Sequence, residues 1–567
     1  MRQLHWVVAV CPALVAGALG CSQAFGGSEG DAPANSSNAG GSSNQGPGTS
    51  YAGTGLGIGS GTGGGTTSGA PVGAVVGVPL PELEPGAAGQ PSVPEEPIAT
   101  NPFVITNHDP LSTFAADVDT ASYDIFMSSV STGSLPPAAT VRLEEFVNYF
   151  HYGYEPPAPT AEEPFSIALA AAPALDPTTL LFRVGIRGRL PAIEKRPANL
   201  VFLVDTSGSM NAPNKLPLVQ YTLTEALSVL DPTDTISIVS YAGSTAVRLE
   251  PTAVADAATI AAAIKGLVSA GGTNGGAGIN LAYAQAEAGF IEGGINHVLL
   301  CTDGDFNLGI TSHDALVDLI TEKRESGITL TALGYGSNPN DAMMERVSNA
   351  GNGTYSVIFN RGQSREYVET RLLSNLDYIA KDMKIQVEFN PAKVYAYRLL
   401  GYEDRAIADN DFRNDTVDAG EVGAGHRVTA LYQLVLAGGS IPNSSIDVAP
   451  QDGEVYAGMT EVGAEDYALV KIRYKLPDAS AEDAAFEVNQ TLGADGVADA
   501  WALLDADFQW AYAVASFAEI LKASPYASPG ALNTIEQIIG QSKHDGVFER
   551  EQFRVAFGQA KPLLAGR

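Results

Sequence analysis

The sequence has little cysteine, little positive charge and no long hydrophobic run beyond its N-terminus. Three cysteines in 567 residues are too few for a disulfide framework. Lys and Arg number 32 against 64 Asp and Glu, which gives a net charge of −32. A chain this acidic is repelled by nucleic acids and by anionic lipid headgroups, so we expect no nucleic-acid partner. The body also lacks the run of about 18 apolar residues that a membrane-spanning helix needs.

Several signatures of enzymes are missing as well. After residue 101 the chain has no Gly-x-Ser-x-Gly elbow, and nowhere does it have a Gly-Lys-Ser/Thr phosphate loop, a His-Glu-x-x-His motif or a Cys-x-x-Cys pair. Hydrophobic residues make up 45% of the chain, enough for substantial cores, whereas the 61 glycines indicate a segment outside any core. We expect a protein that is not an enzyme, with a hydrolase of unrecognised site as the alternative.

The first twenty residues have the composition of a targeting signal. The apolar stretch 6–19 leads into Ala-Leu-Gly-Cys at 18–21. This resembles a bacterial lipoprotein signal, which would be removed as residues 1–20 and leave Cys21 acylated, for example with palmitate. Ala18 departs from the leucine usual at its position. The resemblance implies a lipid anchor in the bacterial cell envelope, and Ser22 favours the outer membrane; a plain secretory signal cut nearby is the alternative.

Residues 21–101 consist mostly of Gly, Ser, Ala, Pro, Thr and Asn, with no Lys or Arg. Such a segment can bury almost no apolar area, so we predict a disordered tether. A Gly-rich coil of this length spans roughly 50 Å. It would hold the folded part, which starts near Asn101, away from the membrane, in the periplasm or at the cell surface.

Residues 102–198 predict a flanking region of helices followed by strands. We interpret 109–155 as helical, because apolar residues such as Phe146 and Phe150 recur on one helix face. Apolar residues then alternate with polar ones over 182–187, which is typical of a strand.

Residues 199–380 alternate apolar strands with amphipathic helices. Leu200–Val204 is a continuous apolar run, as expected for a parallel strand buried on both faces. Further predicted strands are 236–241, 246–249, 298–302, 328–333 and 354–358, and predicted helices are 216–230, 256–268, 277–290, 313–326, 341–350 and 363–380. This alternation predicts an α/β domain with a doubly wound, mostly parallel sheet, in which ligands bind at the carboxyl ends of strands.

Within residues 381–567, apolar and polar side chains alternate with a period of two, which predicts a flanking antiparallel β module. We expect its strands to pair with the strands at 165–189, so that the α/β domain is inserted between them. Helices predicted over 500–523 and 530–560 complete the chain.

Oxygen-bearing side chains follow two of the predicted parallel strands. Asp-x-Ser-x-Ser follows the strand 200–204, an Asp follows the strand 298–302, and a Thr lies in a Gly-rich loop between them. The candidate metal ligands are Asp205, Ser207, Ser209, Thr273 and Asp303. Carboxylates and hydroxyls without Cys or His suit a hard cation, so we expect Mg²⁺, with Mn²⁺ or Ca²⁺ as alternatives.

The pattern of these five residues resembles the metal-ion-dependent adhesion site of von Willebrand factor type A (VWA) domains. The resemblance implies that Ser207, Ser209 and Thr273 hold the ion directly. It implies that Asp205 and Asp303 act through water or as switching ligands. The remaining coordination position would be left for an Asp or Glu of a protein partner.

The flanks resemble those of bacterial VWA-containing lipoproteins. The similarity lies in Asp-Pro-Leu-Ser-Thr-Phe at 109–114, in Arg-Leu-Glu-Glu-Phe-Val-Asn-Tyr-Phe at 142–150 and in parts of 384–432. This resemblance implies the architecture and little about the biology. Our first hypothesis is a lipid-anchored, tethered receptor that binds a protein partner through Mg²⁺. An envelope assembly or scaffold protein, with a structural or regulatory metal site, is the alternative, and the oligomeric state stays open.

Three further features have simpler interpretations. The aspartates of the loop 404–418 favour a solvated surface over a Ca²⁺ site, because Arg413 interrupts their alternation. Cys301 lies in an apolar run and is expected to be a small buried hydrophobe. His297 precedes the same strand, and nothing in the sequence pairs it with a serine nucleophile.

Overall fold

The computed structural model describes residues 99–175, 178–191, 195–304, 313–336, 340–442, 461–479, 483–541 and 547–565. The predicted signal, Cys21 and residues 22–98 of the predicted tether lie outside the described residues, as does the loop 305–312. Within the described ranges, no helix is at once long enough and apolar enough to cross a membrane.

The N-terminal flank contains both strands and helices. In chain order its elements are β1 Val104–Ile105, β2 Leu111–Ala115, α1 Ala121–Ser131, α2 Leu143–Asn148, β3 Phe165–Pro173 and β4 Leu180–Gly188. The helical prediction for 109–155 is therefore wrong at its start. Leu111–Ala115 is a strand because it pairs with a distant segment, where Phe114 lies opposite Ile385, and local periodicity carries no signal of such a pairing.

The central region forms the predicted α/β domain. Its elements are β5 Ala198–Asp205, α3 Leu216–Ala226, β6 Thr235–Tyr241, β7 Thr245–Ala253, α4 Ala257–Lys265, α5 Gly275–Ala288, β8 Ile295–Thr302, α6 His313–Glu325, β9 Thr329–Tyr335, α7 Asp341–Ala350, β10 Tyr355–Ile358, α8 Arg361–Thr370 and α9 Leu372–Leu376. In the described residues the sheet order is β10-β9-β8-β5-β6-β7. All pairs are parallel except β6 with the edge strand β7, which confirms the predicted fold class.

The strand β5 lies inside this sheet, and all of its residues are buried. Phe202 and Val204 belong to one apolar cluster, together with residues of α3, α4 and α8. Val201 and Leu203 belong to another, with residues of α5, α6 and α7. Successive side chains of a strand point to opposite faces, so the continuous apolar run reflects helices on both faces of the sheet.

The C-terminal region adds strands and then helices. Its elements are β11 Tyr378–Phe389, β12 Val394–Leu400, β13 Gly420–Gly423, β14 Arg427–Leu436, β15 Ala468–Lys475, β16 Phe486–Leu492, α10 Ala506–Lys522, α11 Leu532–Gln541 and α12 Phe548–Leu564. The prediction of one helix over 363–380 is wrong at its end, because β11 already begins at Tyr378. The helix predicted over 530–560 is interrupted, since α11 ends at Gln541.

Strands from before and after the central domain share one antiparallel sheet. β4 pairs with β14 along its length, with Val184 opposite Ala430. The described sheet order is β1-β12-β14-β4-β3, and a second sheet has the order β13-β11-β15-β16 with β2 beside β11. Phe182 of the first sheet and Val387 of the second belong to one buried cluster. The predicted insertion of the α/β domain between pairing strands is therefore confirmed.

The N-terminal flank also covers the edge of the central sheet. Asp119 Oδ1 accepts the backbone N–H of Tyr355 at 2.9 Å, and Asp124 Oδ2 accepts that of Val357 at 3.4 Å. Both donors belong to the edge strand β10. Unpaired N–H groups on an edge strand invite pairing with other chains, and here buried carboxylates satisfy them.

Buried charges accompany this contact. Arg405 lies 2.9 Å from Asp119 and 3.3 Å from Asp117, and Arg371 lies 3.9 Å from Asp124. The Asp124 side chain is 4% exposed. Burial raises the pKa of Asp124 to about 7, although Arg371 opposes the rise. At mildly acidic pH, Asp124 is therefore still protonated in the folded protein, whereas in the unfolded chain it has already lost its proton.

Asp124→Asn should make stability less dependent on pH. The folded-state pKa of Asp124 lies above its unfolded value. Proton binding by Asp124 therefore stabilises the folded state at low pH, and this contribution is lost as the pH rises through about 7. The asparagine stays neutral, so the free energy of unfolding of the variant should gain about 3 kcal/mol on that of wild type between pH 5 and pH 8. Urea denaturation at both pH values measures this gain.

The control is Asp314→Asn, which makes the same chemical change at a side chain that is 82% exposed. A constant difference between the Asp124 variant and wild type from pH 5 to pH 8 would contradict the raised pKa.

Candidate metal centre

The candidate centre lies where two neighbouring parallel strands end. β5 ends at Asp205 and β8 ends at Thr302, and the two strands pair in register with Val204 opposite Cys301. The chain continues from β5 to β6 on one side, while β8 lies on the other side. Such a switch point in an α/β sheet leaves a crevice at the carboxyl ends of the strands.

The carboxylate of Asp205 is fully buried and hydrogen-bonded at both oxygens. Oδ1 accepts the backbone N–H of Ser207 at 2.8 Å, and Oδ2 accepts the hydroxyl of Thr302 at 2.9 Å. Burial raises the pKa of Asp205 to about 6, while these hydrogen bonds oppose the rise. A cation beside Asp205 would favour its charged form.

Ser207 and Ser209 bring their hydroxyls together above Asp205. The two Oγ atoms lie 2.8 Å apart. Ser207 is buried, whereas Ser209 is exposed, so the pair lies between the buried acid and solvent. Adjacent ligands of an octahedral ion with bonds of ~2.0–2.1 Å lie ~2.9 Å apart. The observed separation fits two neighbouring ligands of Mg²⁺, and the donor set fits a hard cation.

Backbone hydrogen bonds attach the loop that carries Thr273 to the Asp-x-Ser-x-Ser loop. The N–H of Ala270 donates to the carbonyl of Thr206 at 2.8 Å, and the N–H of Gly208 donates to the carbonyl of Gly271 at 3.0 Å. The next residue, Asn274, caps α5 with its side chain. The structure thus places the half-buried Thr273 in a loop that contacts the Asp-x-Ser-x-Ser loop.

Asp303 follows β8 directly and makes an ion pair that the sequence did not indicate. Its Oδ2 lies 2.8 Å from Nζ of Lys215, and its side chain is 2% exposed. Sequence reasoning missed both Lys215 and Thr302. A lysine just before a helix resembles a solvent-exposed residue, and a threonine inside a strand resembles a strand former. All five predicted ligands nevertheless lie on elements that meet at this end of the sheet.

Gly304 fixes the course of the chain after Asp303. It has φ +85°, and a Cβ atom there would lie 2.1 Å from the backbone nitrogen of Asn340. Asn340 caps α7 by accepting the N–H of Met343. Asp305, which the sequence places next, lies outside the described residues.

Other candidate residues lie elsewhere. In the loop 404–418, Asp415 pairs with Arg473 at 2.8 Å, so this part is tied by an ion pair rather than simply solvated. Side-chain oxygens of Asp382, Asp418 and Glu421 lie within 4.8 Å of one another. These acids have cations beside them, because Arg324 pairs with Asp418 and Lys475 Nζ lies 3.6 Å from Asp382.

Cys301 and His297 are interior residues of β8. Cys301 is buried, as predicted, and burial raises the pKa of its thiol to about 12. His297 Nδ1 lies 2.6 Å from the hydroxyl of Thr329, and burial lowers the pKa of the imidazole to about 3. A neutral histidine bonded to a threonine of the next strand has a packing role.

Comparison with known families divides the chain along the same lines as the fold. The von Willebrand factor type A domain family matches residues 199–370, a family described as von Willebrand factor matches 95–181, and the family described as the C-terminal part of the uncharacterized protein YfbK matches 374–560. The Escherichia coli K12 protein YfbK is 39% identical over 453 residues, which cover 78% of this chain and 76% of that protein.

Two further matches have lower sequence identity. The uncharacterized Synechocystis protein sll0103 is 27% identical over 183 residues, which cover 32% of this chain and 43% of that protein. Among solved structures, a von Willebrand factor type A protein from Catenulispora acidiphila matches with a TM-score of 0.41 and 15% identity, over 68% of this chain and 89% of that one.

Gly304→Ala should destabilise the protein more than the same substitution at a glycine that has a positive φ but no close neighbour. The new methyl group would collide with the backbone of Asn340, whereas Gly133, with φ +80°, has no atom within 4 Å of its missing Cβ. We expect Gly133→Ala to cost about 1 kcal/mol and Gly304→Ala at least about 3 kcal/mol of unfolding free energy. Chemical denaturation of both variants measures the difference, and equal losses would show that the close approach to Asn340 is absent.

Proposed function

The chain belongs to the family of the Escherichia coli protein YfbK, and on that premise we propose that it is an envelope lipoprotein that binds a protein partner through Mg²⁺. VWA domains mediate protein–protein interactions and often use a metal-dependent adhesion site. In the proposal Ser207, Ser209 and Thr273 hold the ion. Asp205 and Asp303 balance its charge, and an Asp or Glu of the partner completes the coordination.

The observation that carries the proposal is the arrangement of Asp205, Ser207 and Ser209. A buried carboxylate and two hydroxyls 2.8 Å apart converge at the end of one strand. The exposed Ser209 leaves this group open to a partner. A bound Mg²⁺ supplies a positive centre that can accept a carboxylate oxygen. The protein's own residues position the hydroxyls, fix the loop at Asp205 and present the open side.

The ion would let this acidic protein bind an acidic partner. With a net charge of −32, the chain repels carboxylates at long range. A divalent cation reverses the sign of the potential at one point of the surface. This is why we propose a partner that presents Asp or Glu and not nucleic acid.

A metal-binding adhesion site also suits a protein without catalytic activity. The hydroxyl pair of Ser207 and Ser209 lies beside an aspartate. The histidine of β8, His297, is bonded instead to Thr329. Serine nucleophiles are usually activated by a neighbouring base, and the support here is for binding rather than hydrolysis.

A scaffold role in envelope assembly is the second candidate, with the metal site structural or regulatory. It is favoured by contacts that join the site to the flank. Gly304 abuts Asn340 at the start of α7, and Asp341 of the same helix lies 2.9 Å from Arg142 of the N-terminal flank. A change at the metal site could therefore reach the flanking surfaces, which would make the main contacts in this role.

Ser209→Ala should weaken metal binding. It removes one of two adjacent hydroxyls without changing the buried Asp205, so we expect at least a tenfold loss of affinity for Mg²⁺ and Mn²⁺, about 1.4 kcal/mol or more. Isothermal titration calorimetry of the full chain measures the affinity. Ser228→Ala, which removes an exposed hydroxyl just after α3 that donates to the carbonyl of Glu225, is the matched control.

The two candidate functions separate when partners are crosslinked in native envelopes and co-purified with and without EDTA. The adhesion proposal expects the partner to be lost with EDTA and with Ser209→Ala. Metal binding without any effect on partner recovery would favour the scaffold. A wild-type chain that binds neither ion would reject the metal site.

Cys21→Ser should release the protein from membranes. The lipid anchor requires the thiol of Cys21, and acyl chains rather than protein contacts would provide the attachment. We expect the variant to move from the membrane fraction to the soluble envelope fraction, as measured by fractionation and immunoblotting. Cys301→Ser, at a buried thiol, is the control, and a membrane-bound Cys21 variant would count against lipidation.

A further inference from the structure

Lys215 makes an ion pair inside the candidate metal centre. Its Nζ lies 2.8 Å from Oδ2 of Asp303. The side chain of Asp303 is 2% exposed and that of Lys215 is 25% exposed. One of the two carboxylates that would balance the charge of a metal ion therefore already has a cation beside it. Neither the resemblance to adhesion sites nor the predicted ligand set assigns a role to this lysine.

The position of Lys215 is held by two elements of the domain. Its backbone carbonyl accepts the N–H groups of Leu218 at 2.8 Å and Val219 at 2.9 Å, which begin α3. Its aliphatic chain passes over Gly336, the residue after β9. A Cβ atom at Gly336 would lie 3.0 Å from Lys215 Cε, and the glycine has φ +100°. The structure thus leaves room for the lysine stem and directs its ammonium group toward Asp303.

The charges at the centre follow from these contacts. Asp205 and Asp303 bring two negative charges when ionised, the hydroxyl ligands bring none, and Lys215 brings one positive charge. A divalent ion added to this set leaves an excess of one positive charge. The same ion added to a set without Lys215 would leave a neutral centre, which attracts a partner carboxylate less.

We propose that Lys215 is a built-in counter-cation of the metal centre, a role that rests on the proposed function. It neutralises Asp303 when no metal is bound, and it competes with the divalent ion for that carboxylate. It also keeps the loaded centre positive toward an acidic partner. The consequence is a metal affinity lower than the five ligands alone would give.

Lys215→Met tests the competition because methionine keeps an unbranched apolar chain and removes the charge. We expect affinity for Mg²⁺ and Mn²⁺, measured by calorimetry on the full chain at fixed ionic strength, to rise about tenfold. Lys215→Arg keeps the cation and should stay close to wild type. Lys323→Met is the matched control, since Lys323 Nζ also lies 2.8 Å from a carboxylate, that of Glu287, on the surface of the same domain.

The same substitution in an Asp303→Asn background shows whether the effect passes through Asp303. With the carboxylate gone, lysine and metal no longer compete for it, so the gain from Lys215→Met should fall to less than half of its value in the wild-type background. An undiminished gain in the asparagine background would overturn the competition for Asp303.

The outcomes separate this role from the proposed function. If the wild-type chain binds metal and Ser209→Ala weakens binding, but Lys215→Met leaves the affinity unchanged or lowers it, the counter-cation role is overturned and the adhesion site stands. If neither wild type nor any variant binds Mg²⁺ or Mn²⁺, both fall. Should circular dichroism show that Lys215→Met is unfolded, Lys215→Gln gives the same comparison with a polar neutral side chain.

Discussion

The buried carboxylate of Asp205 is the group on which the candidate centre depends. A charge at the end of a buried strand is costly unless hydrogen bonds or a cation compensate it. The N–H of Ser207 and the hydroxyl of Thr302 each satisfy one oxygen. These two bonds also fix the start of the serine loop and the end of the neighbouring strand, where Asp303 follows. The hydrogen bonds that offset the cost of burying the Asp205 carboxylate are thus the same bonds that position the elements of the site.

The inserted domain is held by the sheets on either side of it. The chain enters the domain from β4 of one sheet and leaves it into β11 of the other. Residues of both sheets, such as Phe182 and Val387, belong to one buried cluster, so the packing of the two sheets fixes the entry and exit of the domain relative to each other. The edge strand β10 is satisfied by Asp119 and Asp124 of the flank. Without the flank, the N–H groups of that edge would be open to other chains. The domain and its flanks therefore stabilise each other, and α7 takes part in their contact, because its Asp341 lies 2.9 Å from Arg142 of the N-terminal flank.

The sequence predicted what is encoded locally. The helix Asp341–Ala350 has the predicted bounds, and the loop from Asp205 to Ser209 lies at a strand end because an apolar run precedes it. Prediction failed where a distant partner decides the structure, as for Leu111–Ala115, which is a strand only because β11 lies beside it. Lys215 was missed for a related reason: only the fold brings its ammonium group to Asp303.

The acidity of the chain shapes how such a centre can recognise a partner. The net charge of −32 repels an acidic protein over distances up to the Debye length, which is about 8 Å at physiological ionic strength. In the proposed centre, a bound divalent ion and Lys215 would attract only a carboxylate that comes into contact with the opening at Ser209. Recognition would then depend on a protruding acid of the right shape, and not on general surface charge. Since salt screens the long-range repulsion more than the direct contact, moderate ionic strength favours association, which is opposite to the behaviour of partners drawn together by surface charge.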